Sequence, residues 1–163
     1  MISGGMKKLF FDSKAVTRAL DRGSARALAR FGLYVQREDK KSLKYAKAPS
    51  APGAPPTVHR SPGFTRAKKT RKGGTSRQRV SPLRELTYYG YDPWNRSVVI
   101  GPEAFRGSKI GAGKAPRVIE EGGVGPVVSG GKIKVGRYAP RPHTGPAFRR
   151  KLPLLPGLFK DVM

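Results

Sequence analysis

Between Lys40 and Arg84 the chain carries no acidic residue. A stretch of that kind cannot neutralise itself, so it either meets anions elsewhere or is held open by its own repulsion. Its densest part holds Arg66, Lys68, Lys69, Arg71, Lys72, Arg77 and Arg79. The imbalance extends to the whole sequence, where 34 Lys and Arg face 10 Asp and Glu for a net charge of +24. Such an excess calls for a polyanionic partner or an acidic protein surface. The 163 residues suffice for one domain of ordinary size. With 21 glycines and 15 prolines, long and partly extended loops around a small core are predicted.

The absence of cysteine excludes a disulfide framework, a thiolate zinc site, a thiol nucleophile and an iron–sulfur cluster. No apolar run approaches the roughly 18 residues that cross a bilayer. The opening stretch from Met1 stops at Asp12 after the short apolar run Leu9, Phe10 and Phe11, and is read as neither a signal peptide nor a membrane anchor.

From 13 to 47 the apolar residues Val16, Leu20, Ala27, Phe31 and Val35 recur at helical spacing, widened by Ala19, Leu28 and Tyr34. Arg18, Arg22, Arg26, Arg30 and Arg37 fall largely off that stripe, so a long amphipathic helix is predicted. Asp12 or Ser13 can cap its start, and Lys40, Lys41, Lys44 and Lys47 suit its negative end. Gly23 and Gly32 oppose the helix, each by about 1 kcal/mol relative to alanine. The prolines between Ala48 and His59 then forbid its continuation. Residues 48–82 are therefore predicted as an extended basic arm. Glu85 to Tyr91 and Arg96 to Gly101 are rich in aromatic and β-branched residues and flank Asp92-Pro-Trp-Asn95, a turn sequence; together they predict a β-hairpin. A second pair, Gly125 to Ser129 and Lys132 to Gly136, is joined by Gly130 and Gly131, with a short element at Arg117 to Glu121 before it. A C-terminal extended arm with a short helix near Ala147 to Leu152 completes the chain over 137–163. The whole reads as one α+β domain over 1–163, with a long N-terminal helix packed on a small antiparallel β-sheet formed within 83–136.

Catalytic chemistry needs convergent groups, and the sequence offers few. His59 and His143 both lie in proline-rich loops and read as ordinary surface or packing residues rather than metal ligands. Glu120 and Glu121 would point to opposite faces of a strand, which suits salt bridges or a fixed chain turn and not a paired acid and base. Gly107 to Lys114 approaches a phosphate loop, but it has one residue too many before Gly113-Lys114, and Ala115 stands where a hydroxyl is needed. No catalytic residue, cofactor or metal is predicted. Tyr88, Tyr89, Tyr91 and Trp94 among basic residues also fit a nucleic-acid-binding protein of ribosomal or nucleoid type, since aromatic faces stack bases and cations neutralise phosphates.

The order of motifs adds a second line. A long helix and the Ala48 to His59 proline segment precede Leu83-Arg84, Tyr89-Gly-Tyr-Asp-Pro93 and Ser97-Val-Val-Ile-Gly-Pro102. Val118-Ile-Glu-Glu-Gly-Gly123 and Tyr138-Ala-Pro-Arg-Pro-His-Thr-Gly-Pro-Ala147 follow. This string, over about residues 13–150, resembles the head–tail joining or tail-completion neck proteins of long-tailed bacteriophages, prophages and gene-transfer particles. The last two motifs are its most specific part. Two departures stand out: His143-Thr144 replaces what is commonly an aromatic and a methionine, and the segment between His59 and Leu83 is unusually charged.

The resemblance implies a structural, non-catalytic virion protein, made in the host cytoplasm, with its subunits in a ring, commonly sixfold, between head and tail. Its partners would be sister copies, head connector, adaptor or stopper proteins, tail terminator or tail-tube proteins, and packaged DNA in the channel, with no membrane. Tyr138, Pro140, Arg141, Pro142, Pro146 and Phe148 are then the expected ring contacts, and the seven cations from Arg66 to Arg79 the expected contact with DNA or an acidic partner. Six copies would gather about 140 positive charges. With so little core per copy, the arms are expected to take their order from neighbouring subunits.

Overall fold

A computed structural model describes residues 13–61, 63–71, 73–102, 115–129 and 132–160. Helix α1 (Ser13–Ser42) is followed by strands β1 (Thr65–Lys69) and β2 (Thr75–Arg79), a single-turn helix α2 (Pro82–Glu85), and strands β3 (Thr87–Asp92) and β4 (Ser97–Pro102). Helix α3 (Ala115–Glu121), strands β5 (Gly123–Ser129) and β6 (Lys132–Tyr138), helix α4 (Thr144–Lys151), a 3-10 turn (Leu152–Leu154) and helix α5 (Leu155–Lys160) complete the order. The class is α+β, and its antiparallel sheet is divided into three separate pairs: β1 with β2, β3 with β4, and β5 with β6. The anticipated Asp12 cap, the Gly107 to Lys114 loop, the Gly130-Gly131 turn and Lys72 lie outside the described residues.

Helix α1 organises the molecule. Its apolar stripe brings Ala27, Phe31 and Val35 into the interior, where Phe31 and Val35 join Ala147 of α4. Val98 and Ile100 of β4 cover this cluster from one side and Leu155 and Leu158 of α5 from the other. Phe148 meets Phe31 edge to face at 5.5 Å, the arrangement favoured by ring quadrupoles. Gly32, a weak point of the helix by propensity, is where side chains of β3 and β4 press against α1. A methyl group there would lie 2.7 Å from Val98 Cγ2 and 2.8 Å from Tyr89 Cδ2.

The helix ends at Ser42, five residues short of the predicted Lys47. The Ser42 hydroxyl donates to the Asp39 carbonyl at 2.7 Å and the Leu43 amide to the same oxygen at 3.3 Å, so the last turn closes on itself while Leu43 is buried. The chain then runs extended, and Val58 forms a parallel bridge to Tyr45 through its amide and the Lys44 carbonyl at 2.9 Å.

Residues 48–82 differ from the open arm anticipated. Their first part lies against the C-terminal segment of the same chain: the Gly53 amide donates to the Pro140 carbonyl at 2.9 Å and Arg141 Nε to the Ser50 carbonyl at 3.2 Å. Their second part folds into the β1–β2 hairpin, turned by Gly73 at φ 79° and Gly74, with the Thr70 amide donating to the Gly74 carbonyl at 2.8 Å. Repulsion does not prevent pairing because both strands are exposed throughout, leaving every cation in solvent. Both arms thus make contacts within their own chain.

The segment around Glu120 and Glu121 is likewise helical, not a strand. An Arg117–Glu121 ion pair of 2.8 Å spans one turn of α3, and Gly122 at φ 77° ends it in the left-handed conformation. The predicted β3–β4 turn forms as expected: Asp92 Oδ1 accepts from the Trp94 amide at 2.9 Å and the Asn95 amide at 3.3 Å.

Candidate partner-binding surface

The cations of the basic segment sit on two faces of one ribbon. The β1–β2 register pairs Arg66 with Gln78, Ala67 with Arg77, Lys68 with Ser76, and Thr65 with Arg79. Side chains alternate across a strand, so Arg66 and Lys68 share one face while Lys69, Arg77 and Arg79 share the other. Arg71 is exposed at the turn. Arg66 alone among the described cations of this hairpin has an ion pair, to Glu85 at 3.2 Å. The sequence placed these residues together, and the hairpin makes them a projecting two-sided cationic blade.

The root of the blade is fixed by aromatic and polar contacts. Val80 is buried, and its amide donates to the Phe64 carbonyl at 3.0 Å. The Ser81 amide donates to the Tyr45 hydroxyl at 3.2 Å, and the guanidinium groups of Arg60 and Arg84 stand 5.0 and 5.3 Å from the Tyr45 ring centre. Lys40 reaches the Glu85 carbonyl at 3.2 Å. Partial burial holds the Lys40 ammonium below the usual lysine range; Glu85 opposes that shift, and Arg66 and Arg84 reinforce it. A cleft of about 470 Å³ opens beside these groups, lined by Lys68, Lys69 and Gln78 on the hairpin side and by Tyr45 and Arg84 on the other.

The C-terminal residues expected at a ring contact are tied to their own chain by a polar knot that sequence reasoning missed. Asp39 and His143 are respectively 0% and 1% exposed, and His143 Nδ1 donates to Asp39 Oδ1 at 2.6 Å. The Thr144 hydroxyl donates to Asp39 Oδ2 at 3.1 Å. Glu120 then accepts from three successive amides at the start of α4: His143 at 2.8 Å, Thr144 at 3.2 Å and Gly145 at 2.8 Å. A carboxylate placed there satisfies amides that the helix itself leaves unpaired and complements its dipole. His143 Nε2 has no hydrogen-bond partner and lies 3.6 Å from Glu120 Oε2. Glu120 thereby fixes a chain turn, as one reading of the sequence anticipated. Asp39 and His143 could not be paired from sequence, being 104 positions apart.

Around this knot, Arg141 donates its amide to the Ile119 carbonyl at 2.7 Å, and the Tyr138 hydroxyl donates to the Pro126 carbonyl at 2.9 Å. Pro142 and Pro146 are half-buried, Pro140 is exposed, and Phe148 keeps an exposed edge beside Phe31. The six residues thus run from the end of β6 into α4, and of them Pro140 and Phe148 are the exposed ones. Separately, Trp94 at the β3–β4 tip is 91% exposed and Val135 on β6 is 80% exposed.

Both Asp39 oxygens and both Glu120 oxygens are engaged within the knot, and among the described residues no group of three or more His, Cys, Asp or Glu is arranged to hold a metal ion. Among the described residues no helix is long and apolar enough to cross a membrane. No family model, curated protein or solved structure matches the chain.

Proposed function

We propose that this chain is a structural subunit of a bacteriophage or prophage neck, assembling into a ring that joins head to tail and completes the tail. The observation that carries the reading is the ordered string of motifs, above all the Val118 to Gly123 and Tyr138 to Ala147 segments, which meet through Glu120. A core of few buried apolar residues, with Trp94, Val99, Val124 and Val135 left exposed, suits a protein that completes its burial against sister copies. The segment from Tyr138 to Phe148 supplies a ring contact in this reading, and the basic hairpin reaches packaged DNA or the acidic face of an adjoining head or tail ring. The role is architectural, with no catalytic step. Mass measurement of purified particles should find multiple copies, and deletion should leave heads and tails unjoined. Particles free of the chain, or heads and tails fully joined without it, would end the proposal.

The β1–β2 blade favours a second reading, a nucleic-acid-binding protein of ribosomal or nucleoid type, because its cations lie on both faces and only Arg66 is paired among those described. That reading requires the chain to co-sediment with ribosomes or nucleoid from cells that make no particles. Its absence from both would remove it.

A further inference from the structure

On α1, Arg22, Arg26 and Arg30 follow one another at every fourth position, and all three are exposed. Residues so spaced form one ridge along a helix, with successive positions about 6 Å apart. Like charges in that relation destabilise a helix by a few tenths of a kcal/mol per pair, so the ridge is not there for the sake of α1. Beside it runs a groove of about 540 Å³ whose floor is Ala19, Gly23 and Ala27 and whose far wall includes Leu158 of α5.

The described carboxylates are all engaged elsewhere. Asp21 pairs with Arg96 at 3.3 Å, Glu38 with Arg150 and Lys151 at 3.3 Å each, Glu85 with Arg66 at 3.2 Å and Glu121 with Arg117 at 2.8 Å. Asp39 and Glu120 belong to the polar knot, and Asp92 to the β3–β4 turn. No described ion pair reaches Arg22, Arg26 or Arg30, and a sister copy has no unengaged carboxylate among its described residues to offer them. Among the described residues, then, no carboxylate is left to neutralise the ridge.

We propose that the Arg22–Arg26–Arg30 ridge and its groove form a second cationic site, which seats one strand of the phosphodiester backbone of double-stranded DNA without regard to sequence. The ridge spans about 12 Å along the helix axis, long enough to face more than one phosphate of a DNA strand. Guanidinium forks match phosphate oxygens two at a time, which lysine cannot do. The small side chains of the floor allow the backbone to lie close. A protein partner would need an apolar or aromatic centre to its contact, and Leu158 is the single large apolar group among the described residues lining this groove. The site goes beyond the neck reading and is separate from the β1–β2 blade.

The test is binding of the purified full chain to a random-sequence DNA duplex across a salt series. Replacement R22Q/R26Q/R30Q keeps good helix formers on α1, and unchanged far-UV circular dichroism checks the fold. The expected result is a salt slope shallower by about 2 to 3, and binding about tenfold weaker or more near 0.15 M salt. R22K/R26K/R30K should keep most of the slope while losing affinity. A slope in R22Q/R26Q/R30Q equal to that of the unaltered chain overturns the proposal, as does displacement from this site by polyglutamate as readily as by DNA, which would make the partner an acidic protein. Absence of the chain from particles with the slope change intact ends the neck proposal alone; an unchanged slope with the chain present in particles ends this one alone.

Discussion

Replacing Asp39 by alanine tests whether the polar knot, rather than apolar packing, holds the C-terminal segment to α1. The carboxylate is fully buried and accepts from His143 Nδ1 at 2.6 Å and from the Thr144 hydroxyl at 3.1 Å. Its loss takes the carboxylate acceptor from both donors and leaves the buried His143 Nδ1 only the Thr144 hydroxyl oxygen at 3.3 Å, at about 1–3 kcal/mol for each donor. The range for breaking a buried pair by removing one partner, about 3–5 kcal/mol, agrees with their sum. That is a large share of the ~5–15 kcal/mol typical of a folded domain. In urea unfolding of the full chain followed by far-UV circular dichroism, a slope of about 2 kcal/mol per molar gives a midpoint lower by about 2 M. His143→Ala should cost a similar amount, and the double variant D39A/H143A should fall well short of the sum of the two, with a coupling of about 2 kcal/mol. Hydrogen exchange should quicken first at the amides of α4, whose start Glu120 would then hold alone. A coupling below about 0.5 kcal/mol, or exchange quickening evenly over the molecule, would refute the reasoning.

Four further outcomes follow from individual contacts. Gly32→Ala should destabilise by about 1 kcal/mol in urea titration, because overpacking of about 1–3 kcal/mol against Val98 and Tyr89 exceeds the helix gain of about 1 kcal/mol; a stabilised variant would show that β3 and β4 yield freely. Gly122→Ala meets both a left-handed backbone and the Pro140 nitrogen 2.9 Å away, so a loss of about 2 kcal/mol and a melting temperature lower by about 4–8 °C are expected in calorimetry. Hydrogen bonds from the Asn95 side chain and backbone hold the Asp92 carboxyl below its ordinary 3.8, so its contribution to the turn is complete above that pH and is lost as pH falls through the lower folded value. Amide chemical shifts of Trp94 and Asn95 should follow that loss in an acid titration, and Asp92→Asn should abolish it. Replacing Arg66, Lys68, Lys69, Arg71 and Lys72 by glutamine should leave thermal unfolding of the core nearly unchanged while lowering the yield of joined particles, and unchanged yield would remove the hairpin from assembly.

Local pattern was enough for α1, for the β3–β4 and β5–β6 pairs and for the helix near Ala147, because each buries or turns at its own short period. Gly32 was readable only as a defect, since the side chains that need its missing Cβ come from strands more than fifty residues away. The basic hairpin had a usable signal in Gly73-Gly74, the same kind of pair read as a turn at Gly130-Gly131, but its charge outweighed it. Repulsion between cations that stay in water is too screened to forbid a ribbon. At α3, the four-residue spacing of Arg117 and Glu121 before Gly122 was the overlooked sign of a helix. The Asp39–His143 contact left no local trace, for it depends on where α1 ends and on how the C-terminal segment returns across it.

Every strand described in this molecule belongs to a two-stranded ribbon, so each has one side of its backbone with no neighbour in a sheet. Five cations on β1 and β2 and three on β6 discourage stray pairing there, and Pro126 interrupts β5. The β3–β4 strands are guarded less: Asp92 is their single charge, Pro102 stands only at the end of β4, and Tyr88 and Val99 face outward. At high concentration, that ribbon is where copies will stick strand to strand into amyloid-like aggregates, and a lysine at Val99 is the change that should keep solutions clear.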